Sequence, residues 1–341
     1  MSKENTLEIK GVAILCMVFF HLFAFPERVP ELSAVSWVGT PLTKAFQICV
    51  PIYLFLAGYG LQCVSANRQF TATSLFKRIK RLYAAFWWIS VPFILTGVAI
   101  GYYPWEPLRI FRTLLGVTSD YNYEWWFFSN YLELLILFGC SSMWGKMRLS
   151  PQKAFIGLVC ILLISRSLSL FLPLSDCGIA GRHIRMIFVN INIFLLGVSF
   201  AKFNIFNSLE QYTKGLFARK WVIALFLTLP IVSRAYLPMK GVTELITVPV
   251  FCIGIVNLCK IKKVGGILRY LGKHSMNMWL IHSAFIYYYL REVAFIVQSP
   301  VVMYLIVVGC SLLASTLIET LKEYFTDKLC KKLSTKESQI N

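Results

Sequence analysis

The chain has 341 residues, of which 57% are hydrophobic and only 15% charged, with 34 Lys and Arg against 16 Asp and Glu. This balance excludes an ordinary soluble enzyme. The net charge of +18 is no argument for nucleic acid, because apolar runs of about bilayer-crossing length recur from end to end. The pattern predicts an all-α, polytopic membrane helical bundle of about ten spans, one domain over 1–321 followed by a short tail over 322–341.

The first expected span covers 7–25. Between Lys10 and His21 it carries only apolar or small residues, and it stops at Pro26. Eleven steps along an α-helix are nearly three turns, so Lys10 and His21 share a face about 16 Å apart. An ionisable ring inside a span is costly. It either satisfies a neighbouring carbonyl or does chemistry, and the residues alone leave both open. No small-x-small cleavage site follows the run, so it reads as a retained span rather than a signal peptide.

The second span, 43–63, contains Pro51-Ile-Tyr-Leu-Phe-Leu-Ala-Gly-Tyr59, with Gly58 and Gly60 expected to allow close helix approach. The third, 82–101, is preceded by Lys77-Arg78-Ile-Lys80-Arg81. Arg78 and Arg81 are three apart and share a helix face. Such a pair suits phosphate oxygens, though a topology anchor explains the charge equally simply.

Trp125 and Trp126 open the fourth span, 125–144, as an interfacial belt. Trp126, Ser129, Asn130 and Glu133 lie along one face of it. An intramembrane carboxylate normally faces the bundle interior with a partner, which makes Glu133 a candidate for a site or a salt bridge. Spans follow at 153–172 and 184–201, the latter led by Arg182, His183 and Arg185 and carrying Asn190 and Asn192. Further spans are expected at 219–234, 243–259, 271–290 and 300–320. In the ninth, Ser275, Met278 and His282 share a face, and His282 falls well within the apolar run.

Lys and Arg fix the expected orientation. Lys3, Lys10, Arg68, Lys77, Arg78, Lys80, Arg81, Lys146, Arg148, Lys153, Lys202, Lys214, Arg219, Lys220, Lys260, Lys262, Lys263, Arg269 and Lys273 fall on one side, together with the tail lysines. Fewer fall on the other, among them Arg28, Arg109, Arg112, Arg182 and Arg234. Both termini are therefore expected in the cytoplasm. The ten cysteines contain no C-x-x-C pair and most lie in apolar runs, so neither a metal nor a disulfide framework is expected.

Taken in this order, the pieces resemble the acyltransferase-3 family of integral-membrane acyltransferases, which includes bacterial enzymes that O-acetylate surface glycans. The basic-x10-His pattern is matched by Lys10 and His21, where many members have arginine first. The R-x-x-R is matched by Arg78 and Arg81, and the second-span pattern from Pro51 to Tyr59. Phe194-Leu-Leu-Gly197 and Gly272-Lys273-x-Ser275…Leu280-x-His282 are similar to the later signatures. Glu133 departs from the Ser-x-Glu-Glu of one large branch.

The resemblance implies a cytoplasmic acyl-CoA donor, usually acetyl-CoA, and no metal. Arg78, Arg81, Lys10 and Lys273 would hold its phosphates. His21 would be the general base on an acceptor hydroxyl. Trp126, Ser129, Asn130, Glu133, Ser275 and His282 would contact the substrate. The acceptor would be a cell-surface glycan or lipid-linked saccharide, and the location a bacterial cytoplasmic (inner) membrane. Membrane lipids are expected partners and nucleic acid is not; a homodimer is left open. The alternative from a different class is a proton-coupled transporter or flippase of a polar metabolite or lipid-linked sugar. Buried His and Glu suit that reading too, but it lacks the repeated halves such carriers show.

Overall fold

A computed structural model describes residues 1–67, 70–144, 150–171, 177–213, 215–237, 240–261 and 264–337. Arg68, Lys146, Arg148, Lys214, Lys262 and Lys263, which entered the charge argument, lie outside the described residues, as do 338–341 of the expected tail. Among the described residues all regular secondary structure is helical. In order, the helices are α1 (Lys3–Phe23), α2 (Pro41–Ala45), α3 (Cys49–Asn67), α4 (Ala72–Ala99), α5 (Pro107–Leu114), α6 (Trp126–Trp144) and α7 (Pro151–Phe171). They continue with α8 (Gly178–Lys202), α9 (Ile205–Thr213), α10 (Lys220–Tyr236), α11 (Lys240–Ile261), α12 (Gly265–Ile286), α13 (Arg291–Ala294) and α14 (Pro300–Glu337).

Every expected span falls on a long helix. Among the described residues, six stretches are long and apolar enough to cross a membrane: 3–23, 41–66, 72–99, 178–202, 241–260 and 300–325. Several helices begin earlier than the apolar runs predict. α4 starts at Ala72, where Thr71 and Ser74 each accept the other's backbone N–H in a reciprocal cap. The Arg78/Arg81 pair therefore sits in the second and third turns of a helix, not in a loop. At the other extreme, α14 runs on past Leu321 to Glu337, so the expected tail continues a helix.

α1 is the central element. Of its most apolar window, 67% is buried inside the protein, against 22% for the corresponding window of α14 at the periphery. Its tightest neighbour is α12, and small residues set that distance. A Cβ at Gly11 would overlap the Leu268 carbonyl, and one at Gly272 would overlap the Leu7 carbonyl. The same reciprocal device joins α3 to α8, where Gly58 faces the Phe194 carbonyl and Gly197 the Phe55 carbonyl. Gly60, expected to share that role, faces open space and is exposed. Of the two sixth-span asparagines, Asn192 donates to Ser165 Oγ of α7 at 3.0 Å and so joins helices.

Ion pairs separate the two ends of the bundle. Glu8–Arg269 (2.5 Å) and Lys260–Glu210 lie at the end rich in Lys and Arg, called here the basic end. Arg28–Glu124 (2.8 Å), Arg291–Glu31 (2.7 Å) and Arg234–Glu244 lie at the opposite end. At that opposite end α5 is a short amphipathic helix with Leu108 and Phe111 exposed, as in a helix lying along a lipid surface. Its last carbonyls, which no helical N–H can reach, accept from Tyr83 OH and Trp87 Nε1 of α4, each at 2.8 Å.

Candidate active site

His21 occupies the last turn of α1 and His282 the last two turns of α12. The close packing of α1 on α12 brings the two rings together: His282 Nε2 and His21 Nδ1 are 2.8 Å apart. His282 Nδ1 lies 2.7 Å from the Trp279 carbonyl. A carbonyl only accepts, so Nδ1 carries the proton. A neutral His282 then receives a hydrogen bond from His21 Nδ1–H.

The other nitrogen of His21, Nε2, lies 2.8 Å from Glu124 Oε2. One proton therefore sits between imidazole and carboxylate. Arg28 Nη1 donates to the second carboxylate oxygen at 2.8 Å. Burial alone would raise the Glu124 carboxyl, but the charges and hydrogen bonds of His21 and Arg28 bring it down to about 2. Glu124 is thus held in its ionised, hydrogen-bond-accepting form. His21 is 7% exposed, Glu124 3% and His282 fully buried, so the trio is shielded from bulk solvent.

Glu124 comes from a 3₁₀ turn, Tyr123–Trp125, that precedes α6. Asn122 fixes that turn. Its Oδ1 accepts from the Glu124 N–H at 3.1 Å while its Nδ2 donates to Ser283 Oγ of α12 at 2.7 Å. Trp125 Nε1 donates to the Leu280 carbonyl at 2.9 Å, and the Tyr123 N–H to Tyr288 OH at 2.9 Å. The Arg28 guanidinium lies 3.6 Å from the centroid of the Tyr287 ring, whose hydroxyl donates to the His21 carbonyl. Glu124, Arg28, Asn122 and Tyr287 were not among the expected site residues. The legible signal was a carboxylate inside Tyr123-Glu-Trp-Trp126, against the start of an apolar run.

His21 and Glu124 line a cavity of about 510 Å³ at the opposite end. Trp126, Ser129, Asn130 and Glu133 of α6 line it as well. Ser129 donates to the Gly116 carbonyl, and Asn130 Oδ1 accepts from Asn190 Nδ2 at 2.9 Å. Glu133 bonds His183 Nδ1, whose Nε2 lies 2.9 Å from the Val117 carbonyl. Arg182 and Arg234 complete a polar wall facing the aromatic rings.

A second cavity, of about 190 Å³, runs from Lys10 toward the first. Ser275, Tyr53 and Tyr131 line it, and Ser275 Oγ donates to the Gly272 carbonyl at 2.9 Å. Arg78 is half-buried, one turn before Leu82, a wall residue of this second cavity. Arg81 and Lys273 are exposed and line neither cavity. His274, at the same end, is buried with Nδ1 2.9 Å from Ser315 Oγ, a structural contact between α12 and α14. The described residues contain no group of three or more His, Cys, Asp or Glu suited to a metal ion.

No curated protein and no solved structure matches the chain. The model of a family's acyltransferase domain matches residues 8–320, which takes in the trio, both cavities and nearly every described helix. The chain is a multi-pass membrane protein and belongs to the acyltransferase-3 family.

Proposed function

We propose that the protein moves an acyl group, most simply acetyl, from acyl-CoA at a cytoplasmic basic end to a hydroxyl of a cell-surface or lipid-linked carbohydrate in a bacterial inner membrane. One observation carries this reading: a buried carboxylate–imidazole pair stands in a cavity with aromatic and polar walls, and a second cavity approaches it from Lys10. The Lys10–His21 separation of about 16 Å is comparable to a pantetheine arm. Lys10 and Arg78 would meet the CoA phosphates as cations, with Arg81 and Lys273 on the solvent side of them.

The chemistry follows from the shared proton. The acceptor oxygen attacks the thioester carbonyl, a C–O bond forms, and the C–S bond breaks. The proton held between His21 and Glu124 goes to the departing thiolate, and the hydroxyl proton replaces it on the pair. The base is thus a dyad, with His282 fixing the ring through Nδ1 and Arg28 holding Glu124 ionised. Trp126 and Trp279 offer flat apolar faces to a sugar ring. Ser129, Asn130 and Glu133 offer polar edges to its hydroxyls.

Membranes carrying the protein and its native glycans, incubated with acetyl-labelled acetyl-CoA, test the reading. Label is expected to enter the glycan fraction, and His21→Ala is expected to abolish the transfer while the protein still inserts. Transfer at the wild-type rate by His21→Ala overturns the assignment. Movement of saccharide across the membrane without acyl-CoA assigns a carrier instead.

A further inference from the structure

The two cavities meet but do not merge. Three side chains, Met17, Phe127 and Trp279, belong to the walls of both. Met17 lies one turn before His21 on the same helix, and all three residues are buried. The Phe127 and Trp279 rings pack edge to face, centroids 5.5 Å apart at 86°. Lys10 and Ser275 stand on one side of this partition, His21 and Glu124 on the other.

We infer that Met17, Phe127 and Trp279 form a gate that the acyl group must pass, and that this gate sets the largest acyl chain transferred. The inference rests on the acyltransferase reading above. A thioester arriving along the Lys10 cavity meets the partition before it meets the imidazole. Met17 is the movable member: its unbranched thioether turns about three bonds, whereas the two rings brace each other. An acetyl group needs the thioether to swing aside. Each further methylene has to displace packed aromatic carbon as well, and sites of this kind discriminate by about tenfold per methylene. Trp279 also ties the gate to the chemistry, since its carbonyl holds His282 Nδ1 and His282 holds His21. Bulk pressed against Trp279 therefore disturbs the ring that shares a proton with Glu124.

Labelled acetyl-, butyryl- and hexanoyl-CoA, given separately to membranes carrying the full-length protein and its native glycans, read the gate as a ratio of initial rates. The wild type is expected to favour acetyl over butyryl, which has two more methylenes, by about 100-fold. Met17→Ala removes the thioether and is expected to shrink that preference by about tenfold, with acetyl transfer retained. Met17→Leu, close in volume, is expected to keep the wild-type ratio, and Phe127→Leu to relax it in the same direction as Met17→Ala. Wild-type ratios in both Met17→Ala and Phe127→Leu, with acetyl transfer intact, overturn the gate and leave the acyltransferase reading standing. No transfer from any donor by the wild type overturns both.

Discussion

At the scale of single residues, the decisive feature is where the proton between His21 and Glu124 can go. Glu124→Gln keeps the shape of the turn but removes the charge that Arg28 and His21 both face. Transfer is expected to fall by on the order of 10²-fold or more, because acid–base catalysis of this kind contributes that much. The check is the initial rate in the labelled-acetyl assay, with protein level held equal by immunoblot. The same residue predicts a pH dependence of stability. Its folded-state pKa of about 2 lies below the ordinary carboxylate value. Its pairing therefore stabilises the fold above about pH 4.3 and is lost as the pH falls toward 2. Thermal melts in detergent should show wild-type Tm dropping across that interval and a flatter profile for Glu124→Gln. A parallel fall in both proteins would remove Glu124 from the account. His21 and His282 were legible in the sequence because a titratable ring in an apolar run stands out. Glu124 and Arg28 were not, because each lies in a connection where charge is ordinary. Only the fold reveals that residues 96 positions apart share a hydrogen bond.

At the scale of elements, hydropathy located the long helices and small residues set how closely they pack. The apolar runs underestimated α4 and α8 because a helix continues into polar flanks wherever caps and backbone bonds allow. The short helices α5, α9 and α13 fell outside the expected spans because each is too short to carry an apolar run of bilayer length. The glycines separate packing from mere presence. Gly58→Ala drives a methyl into the Phe194 carbonyl, whereas Gly60→Ala meets nothing. The first is expected to destabilise the α3–α8 pair by about 1–3 kcal/mol and the second to leave stability unchanged. Fluorescence-detected size-exclusion melts of the two variants side by side test this contrast. Equal melts would mean that α3 and α8 do not cross as closely as described. Asn190 and Asn192 could not be told apart by sequence. They lie on different faces of α8, so one joins α7 through Ser165 and the other meets Asn130 beside the cavity.

At the scale of the whole molecule, the excess of Lys and Arg at one end predicts that this end faces the cytoplasm. Single cysteines at positions 77 and 109, in a background stripped of the native ones, should report opposite sides. A membrane-impermeant maleimide added to intact spheroplasts is expected to label position 109 and to reach 77 only after lysis. Labelling in the reverse order would invert the orientation and bring the donor cavity to the wrong compartment. The two cavities in series carry one more consequence, for the cell's energy supply. A membrane that stores work as a proton gradient cannot tolerate a wet shaft from one face to the other. This bundle carries two chambers in series, with the imidazole of His21 in one and the Lys10 side chain in the other. A thioether and two aromatic rings stand between the chambers, an apolar partition that would interrupt any file of water. The partition is therefore expected to make the resting protein an electrical insulator, so that expressing it leaves the membrane's proton leak unchanged.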